Sequence, residues 1–425
     1  MLVINDCTKT KIWLALYVFV FVFDPPYLPI DPVYIIGVLT FLYVNTHKEF
    51  YHNWPYDLNK YRKFITIFLV YLIIVSLINF FIEDKDLLSN RLRCINASFV
   101  LTSFEIYCVY FVLQKAEHKQ LGLGDVYDVL LWAGILQALC ALAAFLFPPV
   151  RDLFLTFASG DMYSNEFFLE RRGYGFAVNL VDTYGYAIGL IAGTRMIIGG
   201  KSLLYNVACI ALLIFCTFVN SRTGLAIIII GFGFSVFKAN TSAKFIVKLF
   251  AAVVFCSFVF FSLLPIFFDY ALSSQNETLR WVASDFSIIY QGLLGNQLSE
   301  PVDFISARIG PPDNAFEFLF GSGHSVYGTR SVLGFATDIG YINLWWMYGI
   351  VGISVLFIRI LGFFRKGYLY ACRPEEKMII IFLLTTYFMM LEKANMLGYN
   401  PGTCVVYLLL FSILHYQNKI RYGKS

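Results

Sequence analysis

Residues 126–148 read Val126-Tyr127-Asp128-Val129-Leu130-Leu131-Trp132-Ala133-Gly134-Ile135-Leu136-Gln137-Ala138-Leu139-Cys140-Ala141-Leu142-Ala143-Ala144-Phe145-Leu146-Phe147-Pro148. One acid stands near the start, no further charge follows, and Pro148 ends the run. A bilayer core takes roughly 20 apolar residues of helix, so this stretch predicts a membrane-spanning helix. The same pattern recurs on both sides of it. Apolar runs at 12–28, 32–45, 64–82, 94–113, 174–194, 203–220, 223–237, 245–266, 337–362, 378–393 and 402–416 bring the expected number of spans to about 12. The expected fold is therefore all-α: a polytopic integral membrane protein forming a single transmembrane domain over residues 1–425.

Composition agrees. The chain is 59% hydrophobic and 14% charged, against about 45–50% and about 25% in soluble domains. That much apolar surface needs lipid as part of its solvent. Aromatics at 18% suit a bilayer, whose interfaces favour Tyr and Trp. The nine cysteines show no C-x-x-C spacing, and none is expected in a long external loop. No disulfide framework and no metal site are anticipated. The first apolar run lacks a small-residue cleavage site and reads as a retained helix.

Lys and Arg orient the chain. With both termini inside, the inner loops carry most of the lysines, among them Lys9, Lys11, Lys48, Lys60, Lys63, Lys115 and Lys119. The outer side carries Lys85, Arg91, Arg93, Arg151, Arg171, Arg172, Arg222, Arg280, Arg308 and Arg330: nine arginines and one lysine. Retention in the cytoplasm accounts for inner lysine. Outer arginine asks for another reason, and planar, bidentate binding of phosphate supplies one.

Two outer loops are long, 149–173 and 267–336. The first ends in Arg171-Arg172-Gly173. In the second, Ser274-Gln275-Asn276-Glu277 reads as a capping box. Val282, Phe286, Ile289 and Leu293 then recur at helical spacing, which predicts an amphipathic helix near 275–294 lying on the membrane or over a cavity. Gly310-Pro311-Pro312 breaks the chain, and Gly321-Ser322-Gly323-His324 forms a second turn. External loops of this length are usually functional.

Among titratable groups, His324 is the one histidine expected outside. It follows a Gly-x-Gly turn that permits close backbone approach to a ligand, and neutral imidazole can act as a general base; an exposed loop histidine without a role is the competing reading. Arg222 stands at a helix–helix turn on the membrane face, where a cation is costly unless paired or near water. It reads as an anion clamp or as a side chain snorkelling to headgroups. Arg171 and Arg172 carry the same two readings. Arg280, Arg308 and Arg330 lie in the large loop, each a surface charge or a ligand group. Asp338 opens the tenth span, while Asp182 and Glu105 lie within spans. Neither a G-x-x-x-x-G-K-[ST] loop nor a strand-linked G-x-G-x-x-G occurs. An enzyme acting on the outer face would therefore need a substrate that brings its own activation, such as a lipid diphosphate.

These motifs form an ordered set. Asn220-Ser221-Arg222-Thr223-Gly224-Leu225 opens an apolar helix, and Arg171-Arg172-Gly173-Tyr174-Gly175 closes a basic loop. A large external loop ends in Phe320-Gly321-Ser322-Gly323-His324 and Thr337-Asp338-Ile339-Gly340-Tyr341. Over about residues 165–360 the set resembles the bacterial O-antigen polymerase (Wzy) family. The resemblance implies a metal-independent membrane glycosyltransferase without cofactor in the bacterial inner membrane. Such an enzyme joins undecaprenyl-diphosphate-linked oligosaccharide units at the periplasmic face and releases undecaprenyl diphosphate. It implies Arg222, Arg172 and Arg171 as diphosphate ligands and His324 or Asp338 as base. Tyr341 would orient a sugar, with Trp281 and Tyr290 offering aromatic faces. The bilayer and a polysaccharide chain-length regulator are the expected partners, and nucleic acid is not. The related O-antigen ligase, acting on lipid A-core, is the alternative acceptor chemistry. A flippase is the alternative of another class, disfavoured because no internal repeat is evident and the charges gather in outer loops.

Overall fold

Local chemistry sets where the helices begin and end. Asp125 reaches back to accept the Gly122 amide at 2.8 Å, and Pro148 cannot continue the run, so α5 occupies Leu123–Leu146. Ser202, in an extended conformation, accepts the Tyr205 amide and caps Leu203–Asn220. Pro374 opens Pro374–Met390, where Glu376 accepts the amides of Cys372 and Arg373 at 2.9 and 3.2 Å.

A computed structural model describes residues 6–25, 32–47, 56–82, 92, 102–157, 175–176, 185–199, 202–239, 273, 312, 314–323, 340–391, 404–410 and 412. In chain order its helices are α1 Asp6–Phe23, α2 Pro32–Thr46, α3 Tyr56–Ile82, α4 Thr102–His118, α5 and α6 Pro148–Phe157. There follow α7 Ile188–Ile198, α8 Leu203–Asn220, α9 Arg222–Ala239, α10 Ala315–Phe320, α11 Gly340–Tyr370 and α12 Pro374–Met390. Residues 404–410 form α13. No strand occurs among the described residues.

Among the described residues, three helices are long and apolar enough to cross a membrane: Gly124–Leu146, Leu203–Asn220 and Gly340–Tyr370. Pro32–Thr46, Gly185–Ile198 and Thr223–Val236 are shorter apolar helices. Outward faces are apolar too, with Ile67, Ile229 and Ile358 exposed by 68, 68 and 69%. Water would penalise such faces and acyl chains would not. The expected span 245–266 and the expected amphipathic helix near 275–294 lie outside the described residues. The loop expected over 149–173 opens instead as a helix, because the Pro148-Pro149 pair that ends α5 is well placed to start α6.

Packing sets relative direction. Gly189 meets Gly224 and Ile227, Gly193 meets Gly231, and the Ser235 hydroxyl donates to the Met196 carbonyl at 2.9 Å. Residue numbers rise together, so α7 and α9 run parallel, their backbones brought close by glycine. Gly134 meets Leu213, and Cys216 donates to the Ala138 carbonyl at 3.1 Å, so α5 and α8 are parallel as well. Phe382 of α12 fills the dimple left by Gly193 and meets the Phe234 ring of α9 at 6.2 Å.

A Cβ at Gly231 would strike the Gly193 backbone, whereas one at Gly233 meets nothing within 4 Å. Gly231→Val should cost about 1–3 kcal/mol through overpacking and lower the melting temperature of the detergent-solubilised protein. Gly233→Ala should leave it unchanged or slightly higher.

Candidate functional site

Residues 314–323 hold the loop motif against the bundle. Asn314 caps α10 by accepting the Phe316 amide at 2.9 Å. The helix stops at Gly321, whose φ is 85° and whose amide donates to the Glu317 carbonyl at 2.7 Å. α11 changes course at Gly349, with φ 62° and ψ 177°, a conformation that L side chains avoid. From Gly340 to Gly349 the helix rises about 13 Å at about 1.5 Å per residue. The break is therefore well inside the bundle.

A break leaves carbonyls of the first segment without intrahelical donors. Both the amide and the hydroxyl of Ser322 donate to the Trp346 carbonyl, at 2.7 and 2.8 Å. The Tyr71 hydroxyl of α3 donates to the Tyr348 carbonyl at 2.9 Å and to the Phe320 carbonyl at 2.7 Å. One hydrogen is shared between two acceptors. The Trp345 indole donates to the Phe318 carbonyl at 3.1 Å, and its ring meets Phe318 edge-on at 4.9 Å. Ser76 donates to the Gly323 carbonyl at 3.5 Å. A Cβ at Gly321 would meet the Met347 carbonyl at 2.6 Å; one at Gly323 would strike Ser76, and one at Gly349 would strike Leu319. Ser322 is fully buried.

The described flanks of the other motifs gather at one end of the bundle. Gly224, just after Arg222, lies against Gly189 at the start of α7. Next to that start, the Tyr186 hydroxyl donates to the Met390 carbonyl at 3.1 Å. The following carbonyl, Leu391, accepts the Tyr341 amide at 3.2 Å. Gly175, three residues after Arg172, has φ 57° and seats against Ala141 and Cys140 of α5. The Phe176 amide donates to Gln137 Oε1 at 3.3 Å. α5 and α8 are parallel, so this part of α5 lies toward the end of α8 that precedes Arg222.

Arg222 is the first residue of α9. Tyr341 stands in the first turn of α11, 42% exposed. His324, Asp338, Arg171, Arg172, Arg280, Arg308, Arg330, Trp281, Tyr290 and Asp182 lie outside the described residues. Glu105 is fully buried on α4. Reading the sequence alone missed Tyr71, Ser322 and Gly349 as partners. The available signal was Gly349 inside a long apolar run, since an interior glycine weakens a helix.

The opposite end carries a charge network. Lys11 Nζ lies 2.8 Å from Asp125 and 3.9 Å from Asp128. Arg195 donates to Asp128 at 3.2 Å and to Asn206 at 2.8 Å. Three helices, α1, α5 and α7, are tied by two cations and two carboxylates, with Asn206 joining α8. Beside them a small pocket is lined by Tyr127, Leu130, Ile191, Thr194, Arg195 and Leu410. The buried Tyr127 and Thr194 hydroxyls have no hydrogen-bond partner among the described residues.

Comparison with family models, with curated proteins and with solved structures finds no match to this chain.

Burial draws the Lys11 ammonium down, but the hydrogen bond to Asp125 and the charges of Asp125 and Asp128 outweigh it. Its pKa stands above the ordinary 10.5. The stabilisation from this pairing is therefore complete below pH 10.5 and fades as pH rises through the higher folded value. Melting curves should show wild type losing its advantage over Lys11→Met above that pH, with a constant gap from pH 6 to 9. A gap that narrows within the neutral range would contradict the assignment.

Proposed function

We propose that this chain is a membrane glycosyltransferase of the O-antigen polymerase type, with about 12 spans and both termini inside, in the bacterial inner membrane. One observation carries the reading. The described flanks of the Arg171-Arg172, Arg222 and Asp338-Tyr341 motifs (Gly175, Gly224 and Tyr341) lie toward one end of an apolar helical bundle, with the loop glycines anchored inside it. The Lys11–Asp125–Asp128–Arg195 network occupies the other end. This separation supports an outer face rich in arginine and an inner face of paired charges. The parallel pairing of α5 with α8 and of α7 with α9 fits alternating crossings.

The chemistry follows from a lipid-diphosphate donor. A hydroxyl at the non-reducing end of one lipid-linked unit attacks the anomeric carbon of the growing chain. The bond from that carbon to the diphosphate oxygen breaks, and undecaprenyl diphosphate leaves. A base, His324 first and Asp338 second, takes the hydroxyl proton. Arg222, with Arg172 or Arg171, stabilises the charge that develops on the leaving diphosphate. Tyr341, exposed at the start of α11, is available to a sugar ring. Arg280, Arg308 and Arg330 are candidates for further contacts from the large loop. A chain-length regulator is the expected protein partner.

Arg222→Ala should lower polymer formation by at least about 10²-fold while the protein still reaches the membrane. Arg222→Lys should recover little, because a point charge lacks the guanidinium fork. Normal polysaccharide banding from Arg222→Ala cells would remove the clamp, and unchanged polymerisation by His324→Ala would pass the base to Asp338. Deleting the gene should leave a single repeat unit on the lipopolysaccharide core; complete absence of attached units would point to a ligase or flippase instead. Purified protein should keep its activity in chelator, and strict dependence on a divalent ion would count against the scheme.

A further inference from the structure

α5 ends and α6 begins at a single residue. The Phe147 amide donates to the Ala143 carbonyl at 2.9 Å and closes α5, and the Phe147 carbonyl then accepts the amides of Val150 and Arg151 at 2.9 and 3.1 Å. Phe147 itself is extended, with φ −123° and ψ 100°, so α6 does not continue the axis of α5. A helix start normally leaves four amides without intrahelical partners. Here Pro148 and Pro149 have no amide hydrogen, and the amides on either side of them are paired within the chain. The corner therefore asks for no water on its donor side, as a helix start in contact with lipid requires. The sequence of α6 gives it two sides. Val150, Leu153, Phe154 and Phe157 recur at i, i+3, i+4 and i+7. Arg151, Asp152 and Thr156 take the other side, with Leu155 among them. Arg151 and Asp152 pair there at 3.5 Å, with Asp152 exposed.

Only one flank of the apolar side rests on the bundle. Phe154 meets the Phe176 ring at 4.5 Å, and Phe176 meets Phe19 of α1 at 6.3 Å. The other flank is open: Leu153 is 54% exposed, as are Leu146 and Phe147 at the corner, by 55 and 57%. Leu146 lies seven positions after Leu139, on the same side of a helix long and apolar enough to cross a membrane, and Leu139 is half exposed as well. Single exposed leucines are ordinary; a row of them continuous with a membrane-spanning face is not. We propose that α6 is an interfacial helix whose partner is the phospholipid bilayer. It lies along the membrane surface at the end of α5 remote from the Lys11–Asp125–Asp128 network. Phe147 and Leu153 enter the acyl chains there, and Arg151 and Asp152 stay at the level of the headgroups. Lipid is the occupant because the same exposed row runs back along α5, where acyl chains already cover it. The proposal uses the membrane reading of the bundle and not the glycosyltransferase chemistry, so the two can fail separately.

The test uses the full-length protein, labelled in detergent and reconstituted into phosphatidylcholine vesicles. Leu153→Cys and Asp152→Cys each carry an NBD fluorophore, and wild-type protein taken through the same labelling gives the background of its nine cysteines. Lipid chains brominated near their carbonyl end should quench the probe at position 153 at least about threefold more than the probe at position 152. Bromines near the methyl end should quench it less, since an interfacial helix sinks about 5–10 Å and no further. Aqueous iodide should show the reverse order, reaching position 152 and sparing position 153. Phe147→Cys should behave as Leu153→Cys does, and it decides the matter if Leu153→Cys is not recovered folded. Equal quenching of positions 152 and 153 by iodide would put α6 in water and overturn the proposal. A probe at position 153 shielded from bromine and iodide alike would show that protein, a second copy or another part of this chain, covers the face, and would overturn it too.

Discussion

A helix that breaks inside an apolar bundle has to find new donors for the carbonyls it strands, and the centre of this protein is arranged around that demand. α11 breaks at Gly349. Ser322 and Tyr71 supply the donors, and the indole of Trp345 returns the service to α10. Backbone of irregular shape is tolerated in such surroundings only when buried in protein or facing a cavity. Here the burial is provided by three glycines, Gly321, Gly323 and Gly349, each at positive φ and each too close to a neighbour for a side chain. The loop motif is thereby converted from an external turn into a wedge set between helices.

That wedge gives the two ends of the bundle different characters. At one end, helix starts and stops converge on hydrogen bonds between backbone groups and single side chains, as with Tyr186 on Met390 and Tyr341 on Leu391. Gly224 and Tyr341, described parts of the sequence motifs, lie beside these joints. At the other end, Lys11, Asp125, Asp128 and Arg195 neutralise one another and tie three helices together, with Asn206 joining a fourth. Balanced charge suits a structural anchor.

Much of the helix plan was legible from residue order. Ser202 before Leu203, Pro374 before Glu375 and Pro148 after Phe147 act on their own neighbours, and the helices begin or end there. The parallel pairing of α7 and α9 was half legible: Gly189, Gly193 and Gly231 mark close approach, but nothing local says against what. The Gly321-Ser322-Gly323 turn was visible as a turn, while its burial was not, because its partners come from beyond the local sequence: Trp346, 24 positions from Ser322, and Tyr71, 249 positions from Phe320. The helix over Pro148–Phe157 was also missed, since two prolines read as loop until the first of them is seen to open a helix.

Sequence by itself determined that this chain is helical and too apolar for water, and it located the turns that punctuate the helices. Those properties depend on side-chain transfer energies and on neighbours within a few positions. Only the tertiary structure decided that α11 breaks at Gly349, that Tyr71 and Ser322 close the break, and that the flanks of the Arg172, Arg222 and Tyr341 motifs share one end. Each depends on a carbonyl finding a donor well beyond its own helix turn, 24 to 277 positions away, or on two glycines meeting face to face, and no local propensity encodes such a meeting.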